Sequence, residues 1–222
     1  MTTSHSDHTS NSAFYDRISK AYDLIADASE HIYRQHGIAA LGLRPGDQVL
    51  EIGFGTGNGL IELAETVGPT GHITGLDIST GMRDVALAKI QNTKLKNQIH
   101  LIIGSALSMP FEAQSFDAVF MSFTLELFED DEIPLVLSAI QQVIKPSGKL
   151  CVVALASPPK GEKASMMTRG YQWFHRHFPH IADCKPIDVT AHLAASGFRI
   201  STDNRENMWG MEVAITVGQK SA

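Results

Sequence analysis

Apolar residues along this chain follow two rhythms in alternation. Short apolar runs at Val49 to Ile52, His72 to Asp77, Ile99 to Ile103, Ser115 to Met121 and Leu150 to Ala156 have the length and β-branching of buried strands. Between them the spacing turns helical. Leu60, Leu63, Ala64 and Val67 fall at i, i+3, i+4 and i+7. Met82, Val85, Ala86 and Lys89/Ile90 give one face to a helix over Ser79 to Lys94, and its lysines Lys89, Lys94 and Lys96 read as a solvated face. Asp130-Asp131-Glu132 opens a further helix with charge that suits its dipole, and Ile133, Val136, Leu137, Ile140 and Ile144 line its apolar side. Upstream, Phe14, Ile18, Tyr22 and Ile25 mark a helical stretch from Phe14 to Leu41. Downstream come a helix over Pro186 to Ala195, a strand from Gly197 and a last strand over Met211 to Val217. Leu43 to Asp47, Gly68 to Gly71 and Lys145 to Lys149 punctuate as turns. Strands alternating with helices predict an α/β domain with a parallel sheet covered on both faces.

Composition narrows the picture. The chain has 222 residues, 43% hydrophobic and 19% charged, which suits one soluble α/β domain. A net charge of −6 argues against a general nucleic-acid binder. Two cysteines make no disulfide framework; Cys151 lies in an apolar run and reads as a small buried hydrophobe. We expect a reducing, cytoplasmic setting. No apolar run has the length of a membrane span. Residues 1–12 read as a disordered polar tail, and 13–222 as a single domain with no internal repeat.

The chemistry concentrates at Glu51-Ile52-Gly53-Phe54-Gly55-Thr56-Gly57-Asn58, where a strand ends in a glycine turn and a helix begins. Such a junction makes a nucleotide-sized site at the carboxyl edge of a sheet. It is not the dinucleotide fingerprint G-x-G-x-x-G, because the third glycine would fall on Asn58 or Leu60. Asp77 ends the second strand, 20 residues after Gly57. A carboxylate there can accept hydrogen bonds from both hydroxyls of a ribose; the competing role is a helix cap beside Ser79. Ser122, Thr124 and Glu126 are the polar groups after the fourth strand, at the edge where open α/β sheets bind ligands.

The pattern E-x-G-x-G-x-G resembles motif I of the class I S-adenosylmethionine-dependent methyltransferases. The likeness continues through Gly104-Ser105-Ala106-Leu107-Ser108-Met109-Pro110-Phe111, Ser115-Phe116-Asp117, Lys145-Pro146-Ser147-Gly148 and Gly197-Phe198. Phe14-Tyr15-Asp16 through Tyr22-Asp23 is similar to a signature of the ubiquinone/menaquinone-biosynthesis group. The resemblance implies a Rossmann-like fold with a seven-stranded, mostly parallel sheet of order 3-2-1-4-5-7-6. It implies S-adenosylmethionine as cofactor and S-adenosylhomocysteine as product. It places Tyr22, Glu51, Gly53, Phe54, Gly55, Thr56, Gly57 and Ser122 around the cofactor and Asp77 on its ribose, with Ile78 and Met82 sandwiching the adenine. Ser105 stands where the family has an acid reaching the adenine amino group; a hydroxyl accepts that bond more weakly, and Ala106 shares the task through its backbone.

The methyl of a sulfonium is already electrophilic, so positioning and exclusion of water supply most of the catalysis. A base is needed only for a poorly acidic acceptor, and Glu126 is the candidate. Residues 13–45 read as a helical cap and 157–185 as a lid-like insertion, whose Tyr171, Trp173, Phe174 and Phe178 could wall an apolar pocket and whose Arg169 or Arg176 could hold an acid. His175, His177, His180 and Cys184 lack the spacing of a metal site if this run is helical, so no metal is expected. The expectation is methyl transfer to a small apolar or aromatic acceptor by a monomer or homodimer. A lipid amine or a small thiol competes as acceptor, and a SAM-binding regulatory module without catalysis or a nicotinamide-dependent oxidoreductase as function.

Overall fold

The computed structural model describes residues 30–157 and 185–220. Helix α1 (30–41) leads into β1 (Gln48–Ile52), α2 (Asn58–Val67), β2 (His72–Asp77), α3 (Thr80–Gln91) and β3 (Ile99–Ile103). Then follow β4 (Phe116–Ser122), a 3-10 turn (Leu125–Leu127), α4 (Ile133–Val143), β5 (Ile144–Leu155), α5 (Val189–Ala195), β6 (Phe198–Met208) and β7 (Met211–Lys220). The seven strands form one sheet of order β3-β2-β1-β4-β5-β7-β6, as the resemblance implied. Strands β1 to β5 pair in parallel, and β7 runs antiparallel between β5 and β6.

Alternation along each strand splits the core into two. Leu50, Val119, Met121, Leu150 and Val152 face α4 and α5. Val49, Ala118, Phe120, Cys151 and Val153 face α1 and α2. Helix α2 exists because its Leu60, Leu63, Ala64 and Val67 are all sealed against this second face. Cys151 is a free thiol at 0% exposure. Glu51 shares the apolar face of Val49, and the chain holds it there at 3% exposure.

Several expected bounds move. The second helix is shorter than Ser79 to Lys94: Ser79 is its N-cap, accepting from the Met82 N–H at 3.2 Å, and it ends at Gln91. Its Met82 and Val85 are exposed, with Ala86 and Ile90 supplying the buried side. The acids Asp130 to Glu132 precede α4 rather than open it, and Asp130 pairs with Lys185 at 2.9 Å. The turn expected at Lys145 to Lys149 is absorbed into β5. Ile144 pairs with Phe116 and Lys149 with Ala118, so the intervening residues bulge, with Ser147 at φ +61°. Asp117 staples this bulge, accepting from Lys145 Nζ at 2.8 Å and from the Gln48 N–H at 2.9 Å. The last helix starts at Val189 rather than Pro186, because Ile187 bridges to Ala156 and Asp188 caps the Ala191 N–H. The tail, most of the cap and almost all of the lid lie outside the described residues.

Candidate functional site

Register fixes where the site is. Ile52 pairs with Leu76 on one side and Met121 on the other, so β1, β2 and β4 end level. The chain leaves β1 toward β2 and returns from β3 to β4, which opens a crevice at the carboxyl edge between β1 and β4. Gly53, Gly55 and Gly57 form its floor.

Gly55 is the open position of this floor. At φ +50°, a Cβ there would meet nothing within 4 Å, so the space over it is free for a ligand to approach the backbone. Its N–H donates to Asp77 Oδ2 at 2.9 Å, and Asp77 Oδ1 accepts from the Ser79 N–H at 2.8 Å. Asp77 therefore ties the glycine turn to the start of α3 and keeps unused lone pairs on both oxygens. Ser79, not Asp77, is the helix cap. Next to it Ile78 is 77% exposed and Met82 36%, an apolar pair standing in the open beside the carboxylate.

Glu51 lies beneath the same turn, its carboxylate packed against Gly59. Oε2 is buried with no hydrogen-bond partner. Burial pushes this carboxyl up to about 8; Arg34 opposes the shift, while Glu62 and Asp77 add to it. An orphaned buried acid beside a helix N-terminus fits an ammonium group brought in by a ligand. Arg34, itself buried, pairs with Glu62 on α2 at 3.0 Å and so carries α1 onto this corner.

Phe54 is placed differently from its expected role. Its ring is 4% exposed and lies over Gly75, so it is core, with only its backbone at the turn. Thr56 stands on the outer side, where Lys89 Nζ reaches its hydroxyl at 3.4 Å and also bonds Asn58. Lys89 is thus part of the turn's framework, not a solvated face. At the end of β3, the Ser105 hydroxyl accepts from the Leu107 N–H at 3.2 Å, and Ala106 is buried. Tyr22 lies outside the described residues.

The β4 end is built from buried polar groups. Phe123 adopts φ +50°, a left-handed conformation costing a bulky residue about 1–3 kcal/mol. Its N–H donates to the Val153 carbonyl at 2.7 Å. The hydroxyl of Thr124, 7% exposed, donates to the Ser122 carbonyl at 2.9 Å. Glu126 is neither solvated nor at the start of α4: at 1% exposure its Oε1 accepts from the Leu155 N–H at 3.1 Å. Its Oε2 is buried and unpartnered. Burial pushes this carboxyl up to about 8, against the N–H bonds from its own backbone and Leu155; the charge of Glu30 adds to the rise.

Open backbone at Gly55, an orphaned acid beneath it, Asp77 and the exposed Ile78 and Met82 together fit S-adenosylmethionine: zwitterion, ribose and adenine in order along one crevice. Among the described residues no group of three or more His, Cys, Asp or Glu could hold a metal, and no helix is long and apolar enough to cross a membrane.

Comparison with known proteins gives the same reading. Residues 49–148 match the family model for the methyltransferase domain. A demethylmenaquinone methyltransferase from Lactobacillus johnsonii is 32% identical over 76% of this chain and 68% of that enzyme. Across such relatives the match spans 59% to 68% of their length. Among solved structures, the complex of the Haloferax volcanii Trm112 methyltransferase activator with its methyltransferase is similar at TM-score 0.70 and 17% identity, covering 92% of this chain and 96% of that one. A geranyl diphosphate methyltransferase in complex with SAM is similar at TM-score 0.69 and 11% identity, covering 84% of each chain.

Proposed function

The chain belongs to the class I S-adenosylmethionine-dependent methyltransferases of the ubiquinone/menaquinone type, and on that premise we propose that its acceptor is the reduced ring of a demethylmenaquinone-class quinol. The observation that carries the proposal is the 32% identity to demethylmenaquinone methyltransferase over 76% of this chain. The reduced form is required because a quinone ring is electron-poor and cannot attack an electrophile, whereas a hydroquinone ring can.

S-adenosylmethionine, when bound, supplies an electrophilic methyl on a sulfonium that leaves as a neutral thioether. The chain supplies the geometry. Asp77 accepts the ribose hydroxyls with the lone pairs its backbone bonds leave free. Glu51 receives the ammonium on its orphaned Oε2. Ile78 and Met82 cover the adenine, and Ser105 and Ala106 meet its edge. The backbone of Gly53 to Gly57 and the Ser122 hydroxyl line the methionine end. As the acceptor's ring carbon forms its bond to the methyl, a proton must leave the acceptor. Glu126 takes it on Oε2, the unpartnered oxygen at the β4 edge.

The test has two parts. Isothermal titration with S-adenosylmethionine and S-adenosylhomocysteine should show micromolar binding, lost about 100-fold in Asp77→Ala because two charge-assisted bonds go at once. Transfer of labelled methyl to a short-chain demethylmenaquinol should follow. Cofactor binding with no transfer to the quinol, but transfer to an amine or thiol, would overturn the acceptor assignment.

A further inference from the structure

The turns after β1 and β4 interlock at one side chain. A Cβ added to Gly53 would lie 2.3 Å from Thr124 Cγ2 and 2.4 Å from Thr124 Oγ1. Gly53 lacks a side chain where Thr124 occupies the space. The Thr124 hydroxyl lies 3.4 Å from the Gly53 carbonyl and donates to the Ser122 carbonyl at 2.9 Å, so it faces both turns at once. Between Ser122 and Thr124 the backbone is strained at Phe123, held left-handed at φ +50°. The Phe123 N–H is fixed on Val153, and Glu126 is fixed on Leu155, so the β4 turn is tied to β5 on its far side as well. Gly53 in turn donates its N–H to the Leu76 carbonyl at 2.7 Å. One buried hydroxyl therefore joins a chain of contacts running from β2 through the glycine turn to β5.

We infer that Thr124 is a positioning residue that locks the cofactor turn at Gly53 to the acceptor edge at Ser122 to Glu126. Its hydroxyl holds the Ser122 carbonyl and so keeps Phe123 in its left-handed state. The functional consequence rests on the methyltransferase reading: methyl and acceptor meet in line only while both turns keep this relation, and misplacement by a fraction of an ångström is enough to slow transfer.

The test compares Thr124→Ser, which keeps the hydroxyl, with Thr124→Val, which replaces it by a methyl at nearly the same volume, and Thr124→Ala, which removes both branches. The readouts are the Cα and Cβ chemical shifts of Phe123, which report its φ, and the affinity for S-adenosylhomocysteine. The inference expects the Val and Ala variants to move the Phe123 shifts toward those of extended backbone. It also expects them to weaken S-adenosylhomocysteine about tenfold, the worth of one hydrogen bond. Thr124→Ser should leave the Phe123 shifts in place and stay within about threefold of the wild-type affinity. Unchanged Phe123 shifts in Val and Ala would overturn it. So would weaker binding without a Phe123 shift, which would make Thr124 a direct cofactor contact. If demethylmenaquinol is not methylated, the acceptor assignment fails while these two readouts still decide the role of Thr124.

Discussion

The two halves of the carboxyl edge are built on opposite plans. On the β1–β2 side the groups stand open: nothing lies over Gly55, and Ile78 and Met82 are exposed. On the β4–β5 side they are closed: Thr124 and Glu126 are buried, and the backbone is bent against its preference at Phe123. The open half can be read by a ligand that brings its own shape and charge. In the closed half, position is dictated by neighbours on other strands. Under the proposed roles, the open half would recognise the donor through backbone and exposed surface, and the closed half would handle the acceptor with preset buried groups.

The sharpest way to break that contrast is Glu126→Gln. Glutamine keeps an oxygen for the Leu155 N–H but cannot take a proton, so kcat should fall about 10²-fold or more with cofactor affinity nearly unchanged. In the wild type, kcat should rise as pH climbs toward about 8, where Glu126 ionises. Loss of cofactor binding in the variant would show that Glu126 acts through the cofactor site rather than on the acceptor.

Glu51→Gln probes the buried acid of the open half. At pH 7 the free protein holds a proton on Glu51, whose carboxyl is raised to about 8. An arriving ammonium lowers that value, so cofactor binding should release a proton, measurable by titration in buffers of different ionisation enthalpy. The variant should bind about tenfold more weakly and release none. The same proton governs stability. Both raised carboxyls contribute fully below the ordinary value of 4.5, and their contribution is lost as pH rises toward about 8. Glu51→Gln should flatten that decline in thermal melts across this window. The mildest change is Ile78→Ser, which removes one exposed apolar contact and should weaken cofactor binding about threefold with no effect on melting.

The same contrast decides what could be read from the residues alone. Strands β2 and β3 follow directly from local runs, because their short, β-branched apolar stretches are bounded by turn residues. The glycine turn and Asp77 are legible for a similar reason: the chemistry is written in adjacent residues. The residues place Glu126 near the site but do not give its environment, since its partner Leu155 lies 29 residues away. Its helix alone makes Lys89 read as surface, because its partner Asn58 lies 31 residues back. The motif sets Phe54 among the cofactor contacts, and the structure buries its ring in the core, because only the sheet brings Gly75 beneath it. The stretch Lys145 to Gly148 looks like a turn by composition, and pairing of Ile144 with Phe116 makes it a bulged strand instead.

The position of β7 sets an order of assembly. It follows β6 along the chain yet inserts between β6 and β5. During synthesis, β5 therefore presents an unpaired edge until the chain has been made as far as Lys220. The half of the sheet from β3 to β4 can close first, while β5 waits for β7 to wedge itself in. A stalled ribosome or a clipped terminus would thus leave a sticky edge beside a finished cofactor pocket, where a chaperone or a second nascent chain could add a strand.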